Sequence, residues 1–252
     1  MRRTVHHTAV FVIGALLAAA TPAHAQQVRV LSSVAVKAVI ETLAPEFART
    51  SKDTIAPEFG IAAAMKARIE GGEPFDVAIL TPAMLDDLAA KGLIESTPRP
   101  VVARSGLGLM VKAGAAKPDV SSVEAFKRTL LNARAISYVP NSASGIAFLA
   151  TLDKLAIADA VKAKAKTATS GDEVNANITG GAADLAVLPV SEILPVAGAA
   201  LGGVFPADIQ TYIVMAAGIN PRSPRAAAAR DFVSFITSSK ATAVVTAKGM
   251  ER

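Results

Sequence analysis

Residues 137–148, SYVPNSASGIAF, constrain this chain more than any other stretch. The end of an apolar strand (135–139) turns through Pro140 and Asn141. It then enters a helix on which Ile146, Leu149, Leu152 and Leu155 recur at helical spacing. Ser142, Ser144 and Gly145 lie between the two. The first N–H groups of a helix have no partner inside it, so hydroxyls and a glycine at that point can receive an anion or a carboxylate. The same residues also suffice for a plain N-cap and a close packing contact. A ligand site needs several such turns, so the question is how often the pattern returns.

It returns along the whole chain. Strand 28–31 leads through Ser32 and Ser33 into a helix with Val36, Val39, Ile40, Leu43 and Phe47 on one face. Strand 76–80 leads through Thr81 into a helix with Pro82 at its first position, Met84, Leu85 and Leu88 inward, and Gly92 at its end. A short strand at 167–169 precedes the capping box from Ser170 to Glu173, the helix from Val174 and its stop at Gly180-Gly181. Strand 184–188 closes at Pro189 and Ser191. The remaining elements are strand 55–59, helix 62–69, strand 101–112, a helix behind a capping box at 121–124, a lysine-spaced solvated face at 161–166 and strand 210–217. A helix capped by Ser223-Pro224 and a last helix at 240–248 complete the chain.

Strands and helices alternating at these lengths predict an α/β fold of βαβ units on mostly parallel sheets. Two lobes joined by two crossing strands are expected, with Gly106 and Gly108 marking the outward crossing and the start of strand 210–217 the return. Lobe one would then hold residues 26–108 and 213–252, and lobe two residues 109–212. Ligands of such folds sit past the carboxyl ends of the strands, where helix starts meet. The candidate ligand-binding residues are therefore Ser32, Ser33, Thr81, Asn141, Ser142, Ser144, Gly145, Glu173, Val174 and Pro189.

Composition narrows the chemistry. Arg2 and Arg3, the apolar run 9–20 and Ala23-His-Ala25 read as a secretory signal cleaved after Ala25, leaving 227 residues in the periplasm. No cysteine occurs, so disulfides, thiol nucleophiles and a lipidated cysteine are excluded. All three histidines, His6, His7 and His24, fall in that signal. The remainder lacks His, Cys and Trp, which rules out a Ser-His-Asp nucleophile and removes the usual zinc ligands. No metal and no cofactor are expected. Beyond residue 25, 24 Lys and Arg face 21 Asp and Glu, scattered and with two tyrosines, so nucleic acid binding has no support. A monomer with a small anionic ligand is expected.

The export signal, residues 28–33 (VRVLSS), residues 69–79 (IEGGEPFDVAI), Ser144-Gly145 and the closing helix with Phe232 and Ile236 resemble the periplasmic molybdate-binding proteins of ABC importers. The resemblance covers nearly all of the chain beyond the signal. It implies a type II periplasmic binding fold with two lobes and a hinge. It also implies an oxyanion held by hydroxyls and helix-start amides, and an ABC permease in the inner membrane as partner. Three of the family's hydroxyls have no counterpart: Ala35 replaces a serine, residues 61–64 (IAAA) a serine-rich turn, and Leu188-Pro189 a strand-end tyrosine. Each unpaired buried polar group costs about 1–3 kcal/mol, so an organic carboxylate is expected rather than molybdate. Residues 117–130 (KPDVSSVEAFKRTL), Tyr138 and residues 142–145 (SASG) also resemble a divergent branch of that family, to which periplasmic aconitate isomerase belongs. That resemblance implies an alternative: moving a double bond in a tricarboxylate by proton abstraction beside a carboxyl group. With no imidazole, the base would be Glu173, Asp172, Glu58, Lys37 or Tyr138.

Overall fold

The computed structural model describes residues 27–51 and 53–252. The expected signal, residues 1–25, lies outside them. The first half of the chain follows the predicted alternation. Strand β1 (Gln27–Ser33) passes through a 3-10 turn (Val34–Val36) into α1 (Lys37–Ser51). Strand β2 (Thr54–Gly60) precedes α2 (Ala62–Glu70), and β3 (Val77–Leu80) precedes α3 (Pro82–Ala90). Val39, Ile40, Leu43 and Phe47 bury one face of α1, as their spacing requires. Phe47 packs edge-on against Phe232 at 5.3 Å.

Strand β4 (Val101–Lys112) is the longest, and its two halves have different partners. Val101–Gly106 pair antiparallel with β9 (Tyr212–Ile219); Leu107–Met110 pair antiparallel with β7 (Leu185–Pro189). Beyond β4 come α4 (Val123–Asn132), β5 (Ile136–Tyr138), α5 (Ala143–Lys154), α6 (Ala158–Lys162), β6 (Ala165–Thr167) and α7 (Gly171–Thr179). A single turn, α8 (Val190–Ile193), follows β7, and α9 (Ala226–Thr237) and α10 (Thr242–Ala247) close the chain.

The described strands form one curled mixed sheet in the order β2-β1-β3-β9-β4-β7-β5-β6, with β8 (Ala199–Val204) paired to β4. This corrects the expectation of mostly parallel sheets. β1 is parallel to β2 and β3, and β5 to β6 and β7, but β9 and β4 run antiparallel to every strand they pair with. Hydropathy reports burial and not strand direction, so it could not tell these cases apart. β8 was not predicted, because a glycine-rich run (AALGGV) lacks the branched residues that mark strands.

Three local expectations also change. The cap of α4 is Ser122, whose Oγ accepts from Ala125 N at 3.1 Å, while Ser121 bonds Asp119. On α5 the inward face is Gly145, Phe148, Thr151 and Leu152, and Ile146 is 58% exposed. Phe148 wins that side because it meets Tyr138 at 5.2 Å and Phe205 at 6.3 Å. Residues 161–166 are a solvated face only in part: Lys162, Ala163 and Lys166 are exposed as expected, but Val161 is fully buried and Ala165 begins β6.

Candidate functional site

A cleft of about 570 Å³ opens where the parallel strands end. Ser33, Val34 and Ala35 line it past β1, and Phe59 to Ala62 past β2. Val139 and Ser142 to Ser144 follow β5, Ser170 to Asp172 follow β6, and Leu188 to Glu192 follow β7, omitting Val190. The starts of α1 with its 3-10 turn, α2, α5 and α7 therefore converge on one space, as the topology of such sheets requires. Ile213 and Met215 of β9 form an apolar floor.

Of the ten candidate ligand residues, Ser33, Ser142, Ser144 and Pro189 line the cleft. Ser32, Thr81, Asn141, Gly145, Glu173 and Val174 are not among its lining residues. Physical reasons are visible for several. Ser32 is fully buried and its hydroxyl donates to Ser33 O. A Cβ on Gly145 would stand 1.8 Å from Val139 O, so this glycine serves the approach of α5 to the end of β5. Glu173 is spent as a helix cap, accepting from Thr169 N at 2.7 Å and Thr169 Oγ1 at 2.9 Å, and these bonds hold its carboxyl below the usual range.

The hydroxyls differ in what they have left to give. Ser142 Oγ donates to Val139 O at 2.9 Å and accepts from Gly145 N at 3.0 Å, which is an N-cap with little remaining capacity. With the Ser142 proton given to Val139 O, Ser144 Oγ donates to Ser142 Oγ at 3.0 Å and makes no other hydrogen bond among the described residues. Ser33 Oγ accepts from Ala35 N at 3.3 Å and donates to nothing in the described residues. Ser191 Oγ donates to Ala35 O at 2.8 Å, joining the end of β7 to the turn after β1.

Of the five candidate bases, Asp172 and Lys37 line the cleft and three do not. Glu58 is ion-paired to Arg68. Tyr138 is buried against Phe148, and burial pushes its hydroxyl up. Lys37 is half-exposed, 3.9 Å from Glu41 and 5.9 Å from the Phe59 ring centroid.

Several lining residues escaped the sequence reading, and Glu192 and Asn175 matter most among them. Glu192 follows Pro189-Val-Ser, and burial pushes its carboxyl up to about 7. It has no hydrogen bond or ion pair among the described residues, and its Oε2 stands 3.5 Å from where a Cβ on Gly171 would be. The Oδ1 atom of Asn175 is buried without a hydrogen-bond partner among the described residues. Glu192 sits one residue past Ser191, and Asn175 one residue past Val174, with nothing in the sequence to single them out. Among the described residues no cluster of three metal-ligating side chains occurs, and no helix is long and apolar enough to cross a membrane.

A model of the bacterial extracellular solute-binding protein family matches residues 28–251. The chain belongs to that family. Aconitate isomerase of a Pseudomonas species is 29% identical over 249 residues, 95% of this solute-binding protein and 94% of that enzyme. The periplasmic molybdate-binding protein of Azotobacter vinelandii superposes with a TM-score of 0.77 at 23% identity, covering 89% of this chain and 99% of that one. The sulfate-binding protein SubI of Mycobacterium tuberculosis H37Rv does so with a TM-score of 0.71 at 16% identity, over 89% and 86%. At these identities the two structural likenesses show a periplasmic-binding-protein fold and nothing about the ligand.

Proposed function

We propose that this solute-binding protein takes up a small organic polycarboxylate in the cleft, in the periplasm, and delivers it to an ABC permease of the inner membrane. The observation that carries this reading is the convergence on one space of four helix starts, the undonated hydroxyl of Ser33 and the Ser144 hydroxyl, which is held by Ser142 alone among the described residues. A volume of about 570 Å³ suits a ligand larger than a tetrahedral oxyanion. Ala35 and the alanines after Ile61 offer no hydroxyl where the resembling family has one, which also favours a bulkier guest.

The charge balance is compatible. Lys37 is the one cation lining the cleft, against Glu41, Asp172 and Glu192. Glu41 and Asp172 are exposed and screened. Each helix start adds a partial positive charge of about half a unit, so four of them together with Lys37 roughly offset the three acids. The chain would divide into two lobes within β4 and at the start of β9, with these two strands as the hinge. The change of partners midway along β4 supports that division. In a thermal-shift screen, millimolar tri- and dicarboxylates should raise Tm by several degrees, while molybdate and sulfate should not. A shift with the oxyanions alone would overturn the ligand class.

A second reading is favoured by the 29% identity to aconitate isomerase along nearly both full lengths. Here the same cleft would interconvert the cis and trans forms of an unsaturated tricarboxylate. Incubating the protein with cis-aconitate and following the trans isomer by proton NMR separates the two readings. No conversion at high protein concentration would leave transport alone.

A further inference from the structure

We propose that the Glu192 side chain is the group that takes and returns the proton when an allylic tricarboxylate occupies the cleft. This rests on the isomerase reading above and names its acid–base residue. Glu192 lines the cleft from α8, beside Gly171 at the start of α7 and in the same space as Ser144 and Asn175. It is the most enclosed of the lining carboxylates, half-buried where Asp172 and Glu41 are exposed, and it has no partner among the described residues, so its lone pairs stand ready. Asp172 and Glu41 are exposed at the rim, and Lys37 lies beside Glu41. Glu173 and Glu58 are occupied elsewhere, and Tyr138 belongs to the core. The raised affinity of Glu192 for a proton brings it near the working pH, where a carboxyl can both accept and donate. Burial alone accounts for that rise; no charged neighbour contributes. The other titratable groups around it are Asp172 of α7 and Lys37 and Glu41 of α1, with Lys248 in the shallow depression next to Ser191.

The step balances within substrate and side chain. A Glu192 carboxylate oxygen takes a proton from the methylene carbon that lies between a carboxylate and the double bond. The C–H electron pair forms a new double bond to the central carbon. The old double-bond pair moves onto its outer carbon and the carboxylate attached there, giving a dienolate. The helix-start amides and Ser144 stabilise that charge. Glu192 then returns the proton to that outer carbon. No atom is gained or lost, and nothing is oxidised or reduced.

The test uses wild-type protein, Glu192→Gln and Glu192→Asp with cis-aconitate in D2O, following isomer ratio and deuterium at the methylene carbon by NMR. Calorimetric binding of trans-aconitate and Tm are measured on each. The expected result is a Glu192→Gln protein that folds and binds within a few-fold of wild type. It should lose roughly 100-fold or more of turnover, together with deuterium incorporation, and Glu192→Asp should recover part of both. In the wild type, kcat/KM should rise with pH and level off above about 7, since the base must be ionised. Glu192→Gln turning over at the wild-type rate, or a flat wild-type profile from pH 5 to 8, would overturn the assignment and leave the isomerase reading standing. Wild-type protein that binds the tricarboxylate but neither isomerises nor exchanges it would remove both. If Glu192→Gln does not fold, Glu192→Asp and the pH profile decide.

Discussion

Ser142 and Ser144 stand two residues apart and look equivalent in sequence, yet their surroundings give them different work. The Ser142 hydroxyl caps α5, so Ser142→Ala should cost about 1 kcal/mol and lower Tm by about 2–4 °C, read by calorimetry. Among the described residues Ser144 has only Ser142 as partner, so its hydroxyl can turn from there to a ligand carboxylate. Ser144→Ala should leave Tm almost unchanged and weaken carboxylate binding by about tenfold, on the order of 1.4 kcal/mol. Gly145 was legible as special but not for its reason. A Cβ there meets Val139 O, so Gly145→Ala should destabilise by about 1–3 kcal/mol whether or not ligand is present. Glu192 adds a pH effect that needs no ligand. Its folded-state value is raised to about 7, above the usual carboxylate range, so the folded protein holds a proton that the unfolded chain releases. Stability should therefore fall as pH rises from about 4.5 to 7 and stay lowered above that. Glu192→Gln should raise Tm at pH 8 and have no such advantage at pH 4, in parallel melts at the two pH values.

At the scale of elements, Asp76 joins three segments that the sequence keeps far apart. Its buried carboxylate accepts from Arg29 N of β1 at 2.7 Å and from Ser223 Oγ beyond β9 at 2.5 Å, with Arg225 at 3.7 Å. Removing it leaves buried donors unpaired, so Asp76→Ala should cost about 3 kcal/mol and roughly 10 °C of Tm. Binding at the remote cleft should persist in the fraction that stays folded. Helices with strong apolar spacing, such as α1 and α9, were legible from sequence because one face must be buried. The orientation of α5 was not. Its whole surface is apolar enough that the partners Tyr138 and Phe205, rather than its own pattern, select which side turns inward. β8 was lost for the complementary reason: β4 supplies its pairing, and its own residues supply almost no signal.

For the whole molecule, the placement of β4 and β9 antiparallel in the middle of the sheet brings together strand ends that lie far apart in sequence. The Ser191–Ala35 hydrogen bond, between residues 156 positions apart, holds the turn after β1 against the end of β7. If these strands act as a hinge, a bound tricarboxylate should shrink the radius of gyration in small-angle scattering as the walls close. An unchanged radius with saturating ligand would argue for a rigid cleft. A chelator should leave Tm and ligand affinity unchanged, since the described residues gather no three metal-ligating side chains.

The residues alone determined the alternation of strands and helices, several of the caps and the exclusion of thiol and disulfide chemistry. These follow from periodicity, local hydrogen bonding and composition, which act within a few residues of each other. Which hydroxyls remain free, which lining carboxyl is partly enclosed and which strands run antiparallel were decided only by the packed structure. Desolvation, partner competition and strand order depend on neighbours tens to hundreds of positions away. Glu192 in the cleft, next to the start of a helix that begins 21 residues before it, is the clearest case.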